Sequence, residues 1–315
     1  MLLLDTKYAL KLCRKQNERV GISEELRGWS WDQPPVEPPI RGIELGVSDV
    51  ASRYCASMRD IYLRYVLGVK AKPTLRMLEG KVYHEILRFA VEKVKKIVYT
   101  HNIIEGFPIL KKASENIDEE IEKLIAEIFN ANDVELNNSE FSRIFEKSLK
   151  LWRFLILKYA ASVDNVRSKY ENLSFDSLIS QAIPQVAEYK IDGSRLGLSR
   201  NLSIDVFLPT YMVVDYKTGS RKHFHKLATT GYALVLEAEL EVEVNVGAII
   251  YIWFNGDNLP FLRTEYYYIG DEHRREFLET RDALIEIIEH SRDPGMPVRC
   301  YPYCPYRKIC WRDKS

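Results

Sequence analysis

The feature that most restricts this chain is a change of periodicity near residue 174. From 113 to 172 apolar positions recur at helical spacing, through ENIDEEIEKLIAEIF and FEKSLKLWRFLILKYAASV. Beyond Ser174 short apolar runs alternate with turn residues, as IPQVAEYKI, DGSRLG, NLSIDVFLP and YMVVDYK, which reads as an antiparallel meander. A helix over about Lys222 to Glu239 follows, then the strand VEVNVGAIIYIWF broken at Asn255-Gly256, a strand over Arg263 to Ile269, and a helix over Asp271 to His290. Helices that lead into strands interleaved with more helices predict an α/β fold.

The chain divides on this pattern into a helical N-terminal region over 1–172, a core over 173–292 and a tail over 293–315. The first 45 residues have few periodic apolar positions, and GWSWDQPPVEPPIRG carries four prolines, so this stretch is expected to wrap over the surface. Helical periodicity begins at Ser48, with Cys55 on the apolar side of VSDVASRYCASMRDIYLRYV, and a second helix over Leu75 to Tyr99 carries His84 in its first half. With 315 residues, 46% of them hydrophobic, the chain can bury a full core, which excludes intrinsic disorder and mini-protein scaffolds. Basic and acidic residues number 45 each, so no whole-molecule field draws nucleic acid or membrane, and a charged partner must meet a local patch. The longest uncharged apolar run, Val246 to Phe254, is too short to cross a bilayer, and the expectation is a soluble cytoplasmic protein without a membrane partner.

The chemistry concentrates at IDVFLPTYMVVDYKTG. In an extended strand Val213, Asp215 and Lys217 share one face, so Val213 anchors in the core while the acid and the amine emerge together at the strand end. Asp205 lies on the preceding strand, across a turn at Pro209-Thr210, and its carboxylate reaches the same end. Two carboxylates beside an ammonium suit a hard divalent cation with a lysine next to its bound water. The acid-x-lysine triplet is itself unremarkable: four occur, at Asp5, Glu79, Glu188 and Asp215, where random placement gives about three. Context singles out the last, because it ends an apolar strand, has a hairpin partner carrying an acid, and is closed by Thr218-Gly219. His84, on a mostly apolar helix packed over the sheet, would supply an imidazole to complete the ligand set.

Of five cysteines, Cys300, Cys304 and Cys310 crowd into RCYPYCPYRKICW near the C-terminus. Clustered thiols in a reducing cytosol imply a metal or cluster site, but this spacing is neither a zinc ribbon nor a ferredoxin run, so a fourth ligand must come from elsewhere. Cys55 is favoured over Cys13 because a regular helix would hold its thiolate rigidly. Four thiolates suit an iron-sulfur cluster, and equally Zn(II). Basic residues Arg221, Lys222, His223, His225 and Lys226 directly follow the triplet, at a helix N-terminus that favours phosphate. The tail interleaves Arg299, Arg307, Lys308, Arg312 and Lys314 with Tyr301, Tyr303, Tyr306 and Trp311, a composition suited to single-stranded DNA or to packing around the thiols. The acidic stretch from Glu115 to Glu127 reads as a solvated face turned away from DNA.

In that order, GKVYHEIL, IDVFLP, VVDYKTG and a helix containing Tyr232 resemble the RecB-like branch of the PD-(D/E)XK nucleases. The resemblance implies a mixed central sheet flanked by helices, metal ligation by His84, Asp205 and Asp215, a catalytic role for Lys217 and Tyr232, and Glu188 as an accessory acid. Two positions depart from the pattern: the triplet's acid is Asp, and Ala228 stands where a glutamine is usual. One early cysteine with three at the C-terminus is similar to iron-sulfur nucleases of the AddB and CRISPR-associated type, and RGWSWDQPP and VSDVASRYCASMRDIYLRYV look closest to the Cas-four exonucleases of the archaeal Csa-one subgroup. That likeness implies a [4Fe-4S] cluster on Cys55, Cys300, Cys304 and Cys310, Mg(II) or Mn(II) at the carboxylates, trimming of single-stranded DNA ends before CRISPR spacer integration, and Cas-one and Cas-two integrase partners. The competing readings are a non-catalytic DNA-binding scaffold with a thiolate-held metal, and an AddB-type recombination nuclease, although no Walker motif is present.

Overall fold

The computed structural model describes residues 4, 6–301 and 304–312. Five strands form one sheet in the order β1 (Val186–Ile191), β2 (Leu202–Leu208), β3 (Met212–Thr218), β4 (Val246–Phe254) and β5 (Pro260–Tyr268). The first three make the expected antiparallel meander, β3 and β4 are parallel, and β4 and β5 are antiparallel. The sheet is mixed because a helix spans the β3–β4 connection: parallel neighbours need a crossover, and a hairpin is too short to make one.

Around the sheet lie α1 (Thr6–Asn17), α2 (Val47–Ala51), α3 (Arg59–Ile61), α4 (Leu75–His101), α5 (Gly106–Ala113), α6 (Ile117–Asn130), α7 (Asn138–Arg167), α8 (Phe175–Ala182), α9 (Lys226–Leu240), α10 (Asp271–Glu289) and α11 (Arg307–Arg312). The long helices start at recognisable caps. Thr74 Oγ1 accepts the Met77 N–H, and Asn137 and Glu140 form a reciprocal capping box at α7. The stretch 113–172 is not one unbroken helical run as expected. It is interrupted between α6 and α7, where Asp133 adopts φ +52° within NANDVELNN, residues that bond their own backbone more readily than they continue a helix.

The sheet separates two cores. Helices α4 to α8 pack against Met212, Val214, Tyr216, Val246, Ala248, Ile250 and Ile252. Helices α9 and α10, with residues from 26 to 61, pack against Val213, Ile249 and Tyr251. The split follows strand alternation. Helix α9 has a single interior charge, Glu237, and is apolar nearly all round, so it is covered by the sheet on one side and by α10 and the N-terminal segment on the other.

The N-terminal stretch runs over the surface as its composition implies, but it also drives several side chains inward. It begins with a helix, and Leu26, Val36 and Leu45 are wholly buried. Its polar backbone is satisfied by arginines from elsewhere. Arg281 of α10, fully buried, donates to the carbonyls of Pro35, Val36, Glu37 and Leu196. Prolines bring carbonyls without N–H donors, and one guanidinium supplies several donors at once. Gly28 closes the arrangement, because a Cβ there would stand 1.9 Å from the Leu234 carbonyl oxygen of α9.

Helix formation also fails around Cys55. The expected regular helix stops at Ala51 and resumes at Arg59, with Met58 at φ +60°. Asp49 accepts the Gly46 N–H, Arg64 Nη1 and the Tyr65 hydroxyl, which folds the segment back on itself and leaves Cys55 in the turn. Periodicity registers which positions are apolar; it does not register these tertiary bonds.

Candidate active site

The ladder between β2 and β3 runs through Val206↔Val214, Phe207↔Val213 and Leu208↔Met212, then stops at Asp205. There the Asp205 carboxylate accepts the Tyr216 N–H at 2.9 Å, taking the place a backbone carbonyl would hold in a continued ladder. On the other side the register passes from Ala187↔Val206 to Tyr189↔Ile204, which sets Glu188 opposite Asp205, and Glu188 has φ +53°. A left-handed glutamate inside a strand breaks the pleat. Ile204 and Val206 consequently join different cores, where a regular strand would send both to one face. The result is a splayed strand end with Asp205 at its fork.

His84 of α4 reaches this fork from the helical layer over Tyr216. Its Nδ1 is 3.4 Å from Asp205 Oδ2, and its ring meets Tyr216 edge-on at 5.9 Å. On the opposite face Asp215 is buried, and Lys217 Nζ approaches its Oδ2 at 2.7 Å. Oδ2 is buried from solvent, and the Lys217 ammonium is its charged partner there. The structure therefore brings together the imidazole, both acids and the amine as two contacting pairs. Among the described residues no three His, Cys, Asp or Glu side chains are placed to hold one metal ion between them.

Electrostatics tie the two pairs into one site. Burial pushes Asp215 up to about 6, with Lys217 opposing and the negative Asp205 adding to the rise. Burial acts on Asp205 in the same sense but is outweighed by His84 and the Tyr216 N–H, so its carboxyl lies below the usual range. Burial likewise works against the charged forms of His84 and Lys217. Their facing carboxylates overcome it, and both are held above their ordinary values. Separation of two neighbouring carboxyls in this way is characteristic of sites that bind cations or move protons. Tyr232 of α9 is half-buried beside the same acids, and its phenol is pushed upward by burial and then by Asp215, Asp205 and Glu188. Glu188 is engaged by the Ser203 hydroxyl and Lys190. Ala228 packs into the α9 core.

The basic run after β3 is less uniform than its sequence implies. Lys222 lies near His225 and His223 near His273, and His225 is buried, with Nδ1 3.2 Å from the Tyr251 hydroxyl. Burial and the charges of Lys217 and Lys222 hold it down to about 4, so at neutral pH it is an uncharged wall residue and no phosphate-binding cation. Arg221 is paired with Glu265 at 2.6 Å, and Lys226 lies over the Tyr267 ring. Periodicity offered one signal for His225, its position two turns before Tyr232 on the same side of the helix. Arg76 and Tyr54 also border Lys217, and neither carries a motif that marks it.

The tail returns to the turn that holds Cys55. Arg59 makes a forked pair with Asp293 at 2.8 to 3.1 Å, and Ser57 Oγ donates to the Gly295 carbonyl. Burial pushes the Cys304 thiol up to about 11, and the neighbouring charges of Cys300 and Cys55 add to it. Burial raises Cys310 as well, with Cys55 and Cys300 again within electrostatic reach. The thiols expected to act together thus share one neighbourhood, through a turn and not the rigid helix first inferred. Tyr303, Lys314 and the side chain of Arg312 lie outside the described residues. No helix among the described residues is long and apolar enough to cross a membrane.

Comparison with known proteins covers nearly the whole chain. The family model described as CRISPR-associated exonuclease Csa1 matches residues 1–312. A Saccharolobus solfataricus protein named CRISPR-associated exonuclease Csa1 is 31% identical over 291 residues, 92% of each chain. A Thermoproteus tenax protein of the same name is 30% identical over 308 residues, 98% of each chain. On full-length matches of this kind, the chain belongs to the Csa1 family.

Proposed function

We propose that this protein is a metal-dependent DNA exonuclease that trims single-stranded ends of CRISPR prespacers during adaptation, alongside Cas-one and Cas-two integrase proteins. The observation that carries the chemistry is the convergence of His84, Asp205, Asp215 and Lys217 at the splayed strand end, with Asp215 buried against Lys217. Two neighbouring buried carboxylates repel each other, and a bound cation would offset that cost. His84, Asp205 and Asp215 fit Mg(II) or Mn(II), which would neutralise the scissile phosphate and acidify a water. The order β1–β2–β3–α9–β4 supports a PD-(D/E)XK core, and the names of the relatives support exonuclease action.

The chain's own groups have distinct tasks. The Tyr216 N–H fixes one Asp205 oxygen, so that carboxylate is oriented before substrate arrives. Lys217, kept protonated by Asp215, orients the attacking water and offsets negative charge that grows on the phosphate oxygens. The buried wall of His225 and Tyr251 behind Lys217 limits access of bulk water on that side. Cys55, Cys300, Cys304 and Cys310 would hold a [4Fe-4S] cluster with a structural use, fastening the tail to the N-terminal region.

The test is cleavage of labelled single-stranded DNA with Mn(II) by purified Asp215→Asn and Lys217→Ala proteins. Each should lose at least about 100-fold in rate, the scale of removing one preorganised charge-stabilising group, with unchanged circular dichroism. Undiminished cleavage by either variant refutes the assignment.

A further inference from the structure

Between the carboxylate site and the thiol-bearing tail stands a set of aromatic rings that neither requires. Tyr54 meets Tyr301 of the tail with centroids 5.1 Å apart and 36° between planes, and meets Phe224 edge-on at 5.2 Å and 84°. Phe224 is anchored in turn, edge to face, on the buried ring of His225. The phenol of Tyr54 is within electrostatic reach of Lys217 and Arg76. Arg76 itself extends from the first turn of α4 to Gly219, just past β3, where a Cβ would come within 2.8 Å of its Nη2.

Tyr54 is 41% exposed, a high value for a large ring at the junction of three chain segments. Rings that serve only to fill a core are buried; this one is backed by two others and keeps part of its surface in solvent. The combination beside it, aromatic faces next to lysine and arginine, is the chemistry that binds a single-stranded nucleic acid: cations take the backbone and rings take the bases without regard to sequence. A duplex offers no unstacked base to such a wall.

We propose that Tyr54, backed by Tyr301 and Phe224, is the stacking wall that receives the bases of single-stranded DNA as its backbone enters the Asp205–Asp215–Lys217 site. Tyr54 is thus a positioning residue for substrate. The proposal rests on the nuclease reading for its substrate, but not for its test. Its position one residue before Cys55, with Tyr301 one residue after Cys300, gives the pair a fixed backing from both segments that the tail joins.

The experiment measures binding without cleavage. Single-stranded DNA with a terminal 2-aminopurine is titrated with the full-length protein in buffer lacking divalent cation, and base stacking is read as fluorescence quenching. Tyr54→Ala should weaken binding by about tenfold or more and abolish most of the quenching, the scale measured when a stacking ring is truncated. Tyr54→Phe should retain both, whereas Tyr54→Leu, of similar bulk but without a π face, should behave as the alanine variant. With Mn(II) added, Tyr54→Ala should raise KM for single-stranded DNA with kcat little changed. Wild-type quenching and affinity in Tyr54→Ala or Tyr54→Leu overturn the proposal. If no variant, wild type included, cleaves DNA while the binding differences hold, the nuclease reading fails and the stacking wall stands.

Discussion

Replacing Glu237 with glutamine tests how the N-terminal segment is held to the core. Glu237 is fully buried in the last turn of α9, and its two oxygens accept five hydrogen bonds: from Arg27 Nη1 at 2.9 Å, Arg274 Nη1 at 2.6 Å, Arg274 Nη2 at 2.8 Å, and the N–H groups of Gly28 and Val244 at 2.9 and 3.1 Å. Arg274 is wholly buried and Arg27 nearly so. Glu237→Gln keeps the volume, but it turns an acceptor into a donor that faces donors, takes the counter-charge from buried Arg274 and leaves Arg27 only Glu243, at 3.3 Å. Removing one partner of a buried ion pair costs about 3–5 kcal/mol. For a chain of this size that is on the order of 10 °C in Tm. Thermal and guanidinium unfolding followed by circular dichroism would measure it, and a loss under about 1 kcal/mol, less than breaking a single ordinary buried contact costs, would refute the reasoning.

The same network sets an acid limit. Burial alone would raise the Glu237 carboxyl, but Arg274, the Gly28 N–H and Arg27 hold it below the usual glutamate range. The folded protein therefore binds this proton less readily than the unfolded chain. Its stabilisation is complete above the unfolded value and is lost as pH falls through the lower folded one. Wild-type stability should decline on that acid side, and in Glu237→Gln this contribution to the slope should be absent.

Gly28→Ala would drive a Cβ to 1.9 Å from the Leu234 carbonyl and force Arg27 away from Glu237, so it should destabilise by at least about 2 kcal/mol, read as a shift in the guanidinium midpoint. Arg59→Ala removes the forked contact to Asp293, and limited proteolysis should then cut the tail faster while the core fragment persists. Cys310→Ser in anaerobically purified protein should lose visible absorption and bound iron, and metal analysis that finds no iron or zinc in the wild type would overturn the thiolate site. Treatment with a chelator that strips the thiolate metal should lower Tm, because binding to the folded state alone stabilises it by mass action.

What could be read from the residues was whatever depends on local periodicity. The alternation in YMVVDYK places Val213 in one core and Met212, Val214 and Tyr216 in the other without further help, and short turns fix β1 to β3 as a meander. The strand-end position of Asp215 and Lys217, the hairpin partner Asp205 and the helix bearing His84 follow from the same period. What tertiary structure decided is where long-range polar bonds override the local pattern. Arg274 and Arg281 draw parts of an N-terminal stretch inward although its composition belongs at the surface, because they donate to backbone carbonyls more than 200 residues away in sequence, and Arg27 of that stretch reaches the Glu237 carboxylate in return. Asp49 bends the expected helix at Cys55 into a turn, and burial strips His225 of the charge its basic neighbours imply. The splay at Asp205 likewise needs Glu188 in a left-handed conformation opposite it, an arrangement visible only once β1 and β2 are paired.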